Sequence, residues 1–231
     1  MRRLLAEVDA RSVLEIGVGL GSVGALLAER YDYTGVDLDL TAISTARRRF
    51  AQHGLDPDRL HHGGLELVRG REFDLVCAFE VLEHFEDDLA TLVEWRPFVA
   101  PDGYLLVSVP AGPHRFAKAD EKAGHFRRYS RAEAQRVLTA AGFSDVRFLN
   151  YGVPAGYVLE HARNILATRQ LRRSLPYDER TLASGRWLQP PPALAGATRA
   201  VAVPLTLAQR PFMRSDRGTG LVALARNRTA Q

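Results

Sequence analysis

The sequence predicts a doubly wound α/β domain: a mostly parallel sheet with helices on both faces and a helical cap inserted near the C-terminus. Three observations predict it. Short β-rich apolar runs alternate with helical patterns from Ser12 to Leu149. The first strand, in VLEIGVGLGSVG, breaks directly into closely spaced glycines. Past residue 150 the alternation stops and helical patterns take over, until one last strand-like run at Gly220–Arg226.

The elements follow in order. A strand over Ser12–Ile16 passes through the glycines into a helix near Ser22–Arg30. A second strand, Tyr33–Asp37, ends in an acid, and Thr41 is the expected N-cap of a helix reaching His53. Short strand Arg59–His62 precedes Phe73–Phe79, an apolar run bounded by charge, and a helix covers Asp87–Phe98. Pro101-Asp102-Gly103 is expected as a turn, since proline presets φ and glycine admits positive φ. It feeds the buried strand Tyr104–Val109. Ser130 and Glu133 form a capping box for a helix that Gly142 closes, and Asp145–Leu149 is the next strand. Gly156–Leu171 and Ala193–Gln209 read as helices separated by the loop LASGRWLQPPP. No internal repeat or low-complexity tract interrupts the chain.

The 231 residues, 46% hydrophobic and 25% charged, fit one large domain or one domain with an appended piece. The lone cysteine, Cys77, lies in an apolar run and reads as a small core residue in a reducing compartment. No N-terminal stretch has the apolar core of a signal peptide and no 18-residue stretch is free of charge, so a cytoplasmic protein is expected. Charge is divided unevenly. Residues 1–146 carry 18 basic against 23 acidic side chains, whereas residues 147–231 carry 13 arginines against four acids. A cationic C-terminal part suits an anionic or carrier-bound partner, or a solvated arginine-rich surface.

Glycines after a strand let backbone N–H groups approach a ligand. Gly19, Gly21 and Gly24 match the dinucleotide pattern G-x-G-x-x-G, which keeps a nicotinamide or flavin oxidoreductase as a competing reading. Glu15, in E-x-G-x-G-x-G, offers a carboxylate to an ammonium group. Asp37, 16 residues past Gly21, offers one to both hydroxyls of a ribose. A ligand with an amino acid and a nucleoside is S-adenosylmethionine.

LEIGVGLG, GVDLD, FDLVCAFEVLEHF and PDGYLLVSVP, in that order, resemble the successive motifs of the class I S-adenosylmethionine-dependent methyltransferases. The resemblance runs from Val13 to Leu149, and EVLEH is similar to the ubiquinone-type O-methyltransferase branch. It implies a Rossmann-like core over residues 1–150, a substrate-binding helical cap over 151–219, and a final strand and tail of the core over 220–231. It also implies that Glu15, Gly17, Gly19 and Gly21 bound the methionine end of the cofactor and that Asp37 binds its ribose. Leu38 then packs on the adenine, and Phe79 and Glu80 line the methionine side. Where the family carries an acid for the adenine amino group, this chain has Gly63-Gly64, and backbone at Gly64 and Leu65 is the expected substitute.

Glu80, Glu83 and His84 follow the fourth strand at i, i+3 and i+4, and can share a face if a helical turn begins there. With His125 from AGHFRRYS they are a candidate set for Mg²⁺, Mn²⁺ or Zn²⁺. The arrangement resembles the metal site of small-RNA 2′-O-methyltransferases. A metal-free base role for His84 or His125, and a structural one, stand beside it. The polar loop DEKAGHFRRYS reads as a substrate gate, and Arg127, Tyr129, Arg186 and Trp187 as substrate-binding candidates.

Together these lead to a methyltransferase acting on a hydroxyl, or a nitrogen or carbon, of a small molecule in specialised metabolism, as a monomer or homodimer. Three other readings remain open: an RNA 2′-O-methyltransferase, a non-catalytic cofactor-binding subunit, and the oxidoreductase. A membrane-surface contact through the arginine-rich part is a further, weaker alternative.

Overall fold

The computed structural model describes residues 2–5, 8–170, 213 and 215–228. A single helical turn, α1 (Arg2–Leu5), precedes β1 (Ser12–Ile16), α2 (Ser22–Ala28), β2 (Asp32–Asp37), α3 (Leu40–Gln52) and β3 (Leu60–His62). The chain continues through β4 (Phe73–Phe79), α4 (Asp88–Trp95), β5 (Val99–Pro110), α5 (Lys118–Ala123) and α6 (Arg131–Ala140). It closes with β6 (Ser144–Tyr151), α7 (Ala155–Gln170) and β7 (Gly220–Arg226).

The seven strands form one sheet in the order β3-β2-β1-β4-β5-β7-β6. β1 to β5 are parallel to their neighbours, whereas β7 runs antiparallel between β5 and β6. Strand order reverses between β1 and β4, so the carboxyl ends of these strands border the crevice where open α/β sheets bind ligands.

Alternation along each strand builds two cores. Leu14, Ile16, Val76, Ala78, Leu105 and Val107 pack on one face, with Leu92 and Trp95 of α4 and Leu138 of α6. Val13, Leu75, Cys77 and Leu106 face the other way, onto Ala25 and Leu27 of α2 and Ile43, Ala46 and Phe50 of α3. Burying each large apolar side chain contributes about 1.5–3 kcal/mol. These strands read as continuous apolar runs because both faces are covered.

The expected elements between residues 12 and 150 are present, with three local corrections. Asp39, not Thr41, caps α3, its side chain accepting from the Thr41 amide at 2.8 Å. Pro101–Gly103 lies inside the longer strand β5 rather than before it. There Asp102 takes φ 63°, and the register shifts opposite Phe73–Leu75. Strand β6 runs on to Tyr151, which carries that side chain to the sheet's ligand-binding end. The Ser130–Glu133 capping box is formed, and Gly142 ends the helix at φ 90°. The loop 182–192 and the helix expected over 193–209 lie outside the described residues. Among the described residues no helix is long and apolar enough to cross a membrane.

Candidate active site

Gly17, Gly19 and Gly21 all take positive φ, at 75°, 54° and 75°. Their surroundings separate them. A Cβ on Gly17 meets Val81 Cγ2 at 2.5 Å, and one on Gly21 meets Ala46 Cβ at 2.7 Å. Gly19 has nothing within 4 Å of that position. Two glycines thus let neighbouring elements close on the loop, and the middle one presents bare backbone to open space. Gly24 belongs to neither case. A Cβ there meets Glu15 Oε2 at 2.6 Å and crowds the Tyr33 hydroxyl, so it is a packing glycine inside α2.

Asp37 ends β2 beside this loop. Its Oδ2 accepts from the Gly19 amide at 2.7 Å and its Oδ1 from the Asp39 amide at 2.8 Å. Burial raises its pKa, and the two amides work against that shift. Each carboxylate oxygen keeps a further acceptor site toward the crevice, the chemistry a vicinal diol requires. Leu38, next along, is 69% exposed, an apolar surface left open beside the acid.

Glu15 is placed differently from the sequence expectation. It shares a face of β1 with Val13, so alternation turns it under α2 rather than toward the crevice. It is buried, and Oε2 accepts from the Tyr33 hydroxyl at 2.5 Å. Burial pushes its pKa up to about 8, so the group is largely a neutral acid at pH 7. It supports the glycine loop from below.

Gly64 follows β3, and its amide donates to Glu66 Oε1 at 2.8 Å, so that donor is already engaged. Leu65 packs against the core beneath it. Phe79 is half-buried at the end of β4. Glu80 turns there with φ 55°, a left-handed conformation rare for a side-chain-bearing residue and enriched at functional sites. Its Oε1 accepts from Ser108 Oγ and from the Tyr151 hydroxyl, both at 2.8 Å.

Glu83, His84 and His125 converge. One ligand atom of each lies within 4.8 Å of the others, and the two imidazole rings meet edge to face at 4.8 Å. The loop after α5 is docked by backbone: the Phe126 amide donates to Glu83 O at 2.8 Å. His84 Nδ1 lies 3.1 Å from Gly124 O, and His125 Nδ1 lies 3.1 Å from Asp120 Oδ1. A carbonyl can only accept, and so can an ionised carboxylate. Both Nδ1 atoms therefore carry a proton, and in the neutral form of each ring Nε2 is the nitrogen with the lone pair. Burial, then the neighbouring His125, lowers His84 to a pKa of about 4. Glu83 is fully buried, and neither of its carboxyl oxygens receives a hydrogen bond among the described residues. His125 Nε2 stands 3.9 Å from Oε1. Burial, followed by the charge of Glu80, pushes the Glu83 pKa well up.

An orphaned buried carboxyl facing imidazole lone pairs is a donor set that fits a divalent cation. Glu80, named with these three in the sequence, is not among the converging group, because Ser108 and Tyr151 hold its carboxylate.

The substrate-binding candidates fare unevenly. Tyr129 is 2% exposed and its hydroxyl donates to Asp88 Oδ2 at 2.9 Å, which ties α4 to the start of α6. Arg127 lies on the surface, paired with Asp88 at 3.2 Å and donating to Glu86 O. Arg186 and Trp187 lie outside the described residues. Sequence reasoning placed Arg128 near the active edge of the sheet without a role, and missed Asp120, Glu160 and Tyr151. The i, i+5 spacing of Asp120 and His125 and the unpaired look of Arg128 in a polar loop were the available signals.

With this geometry in view, the comparisons are informative. The model of a methyltransferase domain matches residues 1–147. A ubiquinone biosynthesis O-methyltransferase of Aromatoleum aromaticum is 32% identical over 107 residues, 45% of each chain, so the alignment spans about half the length of that curated relative. The Mycolicibacterium smegmatis "Probable S-adenosylmethionine-dependent methyltransferase" is 29% identical over 79% of this chain and 73% of its own. Among solved structures, the YcgJ protein of Bacillus subtilis aligns over 99% of this chain and 98% of its own, with TM-score 0.62 and 14% identity. A SAM-dependent methyltransferase of Archaeoglobus fulgidus aligns over 97% and 90%, with TM-score 0.57 and 14% identity. At such identities the likeness speaks for the fold. With a methyltransferase-domain model matching well over half the chain, the chain belongs to the family of S-adenosylmethionine-dependent methyltransferases.

Proposed function

We propose that this chain transfers the methyl group of S-adenosylmethionine to a hydroxyl oxygen of a small molecule, aided by a divalent cation held by Glu83, His84 and His125. One observation carries the reading: a buried Glu83 carboxyl that receives no hydrogen bond among the described residues, set beside two imidazoles whose Nδ1 atoms face acceptors while one Nε2 stands 3.9 Å from it. A cation in that set supplies positive charge that lowers the pKa of an acceptor hydroxyl and favours oxygen as nucleophile. The names of the ubiquinone biosynthesis O-methyltransferases, similar at 25–36% identity over part of the chain, lend support to oxygen as the acceptor.

The chain's own residues do the rest. Gly19 gives bare backbone to the cofactor, Asp37 accepts from its ribose, and Leu38 offers an apolar surface for adenine. Glu80, at the end of β4, is held by hydrogen bonds from Ser108 and Tyr151. The methyl donor is already activated as a sulfonium, so catalysis consists of in-line positioning and removal of one proton from the acceptor. Burial and the neighbouring His125 lower the pKa of His84, which favours the neutral imidazole, the form in which a histidine ligates.

The test is formation of S-adenosylhomocysteine with a catechol-type acceptor, against an amine of similar size, before and after exhaustive chelation. Transfer to the hydroxyl that is lost on chelation and restored by added metal is expected. Undiminished turnover in chelator would remove the cation from the reading.

A further inference from the structure

The Nε2 of a histidine is offered to a neighbour only if something holds the proton on Nδ1 and keeps the ring from turning. His84 obtains this from backbone, at Gly124 O. His125 obtains it from a side chain, and that side chain is unusually well supported. Asp120 is 3% exposed, and its Oδ1 lies 3.1 Å from His125 Nδ1. Arg128, 6% exposed, grips the same carboxylate with two parallel contacts, Nε to Oδ1 and a terminal nitrogen to Oδ2, both at 2.9 Å. The Ala117 amide donates to Oδ2 at 2.9 Å. Arg128 is held in turn by Glu160 of α7, which also pairs with Arg115. Arg115 lies 4.2 Å over the Tyr157 ring. The Arg128 guanidinium and the Ala117 amide both donate to this carboxylate, which leaves it an acceptor toward His125.

We propose that Asp120 is a positioning residue for His125: clamped by Arg128, it fixes the Nδ1-protonated tautomer and ring orientation that turn Nε2 toward Glu83 and His84. The purpose of that orientation rests on the cation reading above. The orientation itself does not. Outer carboxylates that fix the tautomer of a ligating histidine raise its basicity, and removing one costs about 10–100-fold in metal affinity.

The experiment pairs two readouts on the full chain. Long-range ¹H–¹⁵N correlation of the imidazoles, in metal-free protein near pH 7.5, reports which nitrogen of His125 is protonated. Titration with Co²⁺, followed by its visible ligand-field bands, reports affinity, and S-adenosylhomocysteine binding checks the fold. In the wild type the proton is expected on Nδ1. In Asp120→Asn a mixed or Nε2-protonated ring is expected, with Co²⁺ binding 10–100-fold weaker and S-adenosylhomocysteine binding unchanged. A residue that merely braces the loop would leave the tautomer alone. An Nε2-protonated His125 in the wild type overturns the proposal, a result that needs no variant to fold. So does an Asp120→Asn protein with the wild-type tautomer and Co²⁺ affinity within about twofold. A wild type that binds no Co²⁺ yet shows the Nδ1 proton overturns the cation reading and leaves the positioning role standing, so the two failures are distinguishable.

Discussion

Glu15 shows how a position named by pattern takes its chemistry from its surroundings. Its place after an apolar strand and before the glycines is the family's acidic position, but strand alternation sends it to the same side as Val13. There burial raises its pKa from 4.5 to about 8. Unfolding releases that group to titrate near 4.5, so between the two values the folded state holds more protons than the unfolded one. Its stabilising contribution is complete below pH 4.5 and is lost as pH rises toward 8. Wild-type stability in urea should fall across that window by on the order of 2–5 kcal/mol more than that of Glu15→Gln, whose amide keeps an acceptor for Tyr33. Parallel curves for the two proteins from pH 5 to 8 would show that Glu15 is ionised in the fold. Residue identity alone could not foretell this, because the partner, Tyr33, sits on the next strand and is recognisable only once β1 and β2 are in register.

At the scale of elements, the glycine loop divides into positions that neighbouring elements pack against and one that is left open. Gly21→Ala places a methyl against Ala46 of α3 at φ 75°, and should lower the stability of the ligand-free protein by about 1–3 kcal/mol. Gly19→Ala meets no atom, so only the φ strain of about 1 kcal/mol remains, while affinity for S-adenosylhomocysteine should drop at least tenfold. Denaturation curves and calorimetric titration on the two variants separate the effects; equal affinity losses would show that Gly19 does not face the ligand. The helix α7 carries a prediction of another kind. Its Glu160 joins Arg128 and Arg115, and Glu160→Ala leaves those cations short of a partner. A loss of about 1–3 kcal/mol in chemical denaturation is expected, less than for a wholly unpaired charge because Asp120 still holds Arg128. The order and type of these elements were legible because period, caps and turns agree with the fold. Their sites were less so. His84 and His125 were recognisable as residues that could meet, but Asp120 and Tyr151 act through distances that only tertiary packing sets.

For the whole molecule, a cradle present before the cofactor arrives has a thermodynamic signature. A ligand that binds only the folded chain stabilises it by about 2.7 kcal/mol at a hundred times its Kd. For a chain of this size that corresponds to a rise in Tm of roughly 5–11 °C with S-adenosylhomocysteine, measurable by scanning fluorimetry. The same ligand should shift Gly19→Ala far less at equal concentration. The overall architecture was readable from strand–helix alternation up to residue 150, since β1 to β5 follow one another as parallel strands joined by crossovers. The placement of the final strand was not, because an apolar run such as Gly220–Arg226 carries no mark of which edge it will join.

That strand has a consequence in time as well as in space. Strand β6 finds its only partner among the described strands in β7, and residues 152–219 separate the two. During synthesis at about 5–20 residues per second, β6 waits on the order of ten seconds for its neighbour. Through that interval β5 also has one unpaired edge, and Tyr151 cannot settle against Gly220. The glycine loop can form early, from the first strands made. The hydrogen bond from Tyr151 to Glu80 lies beside the pairing with Gly220, so it is tied to the last strand to be made.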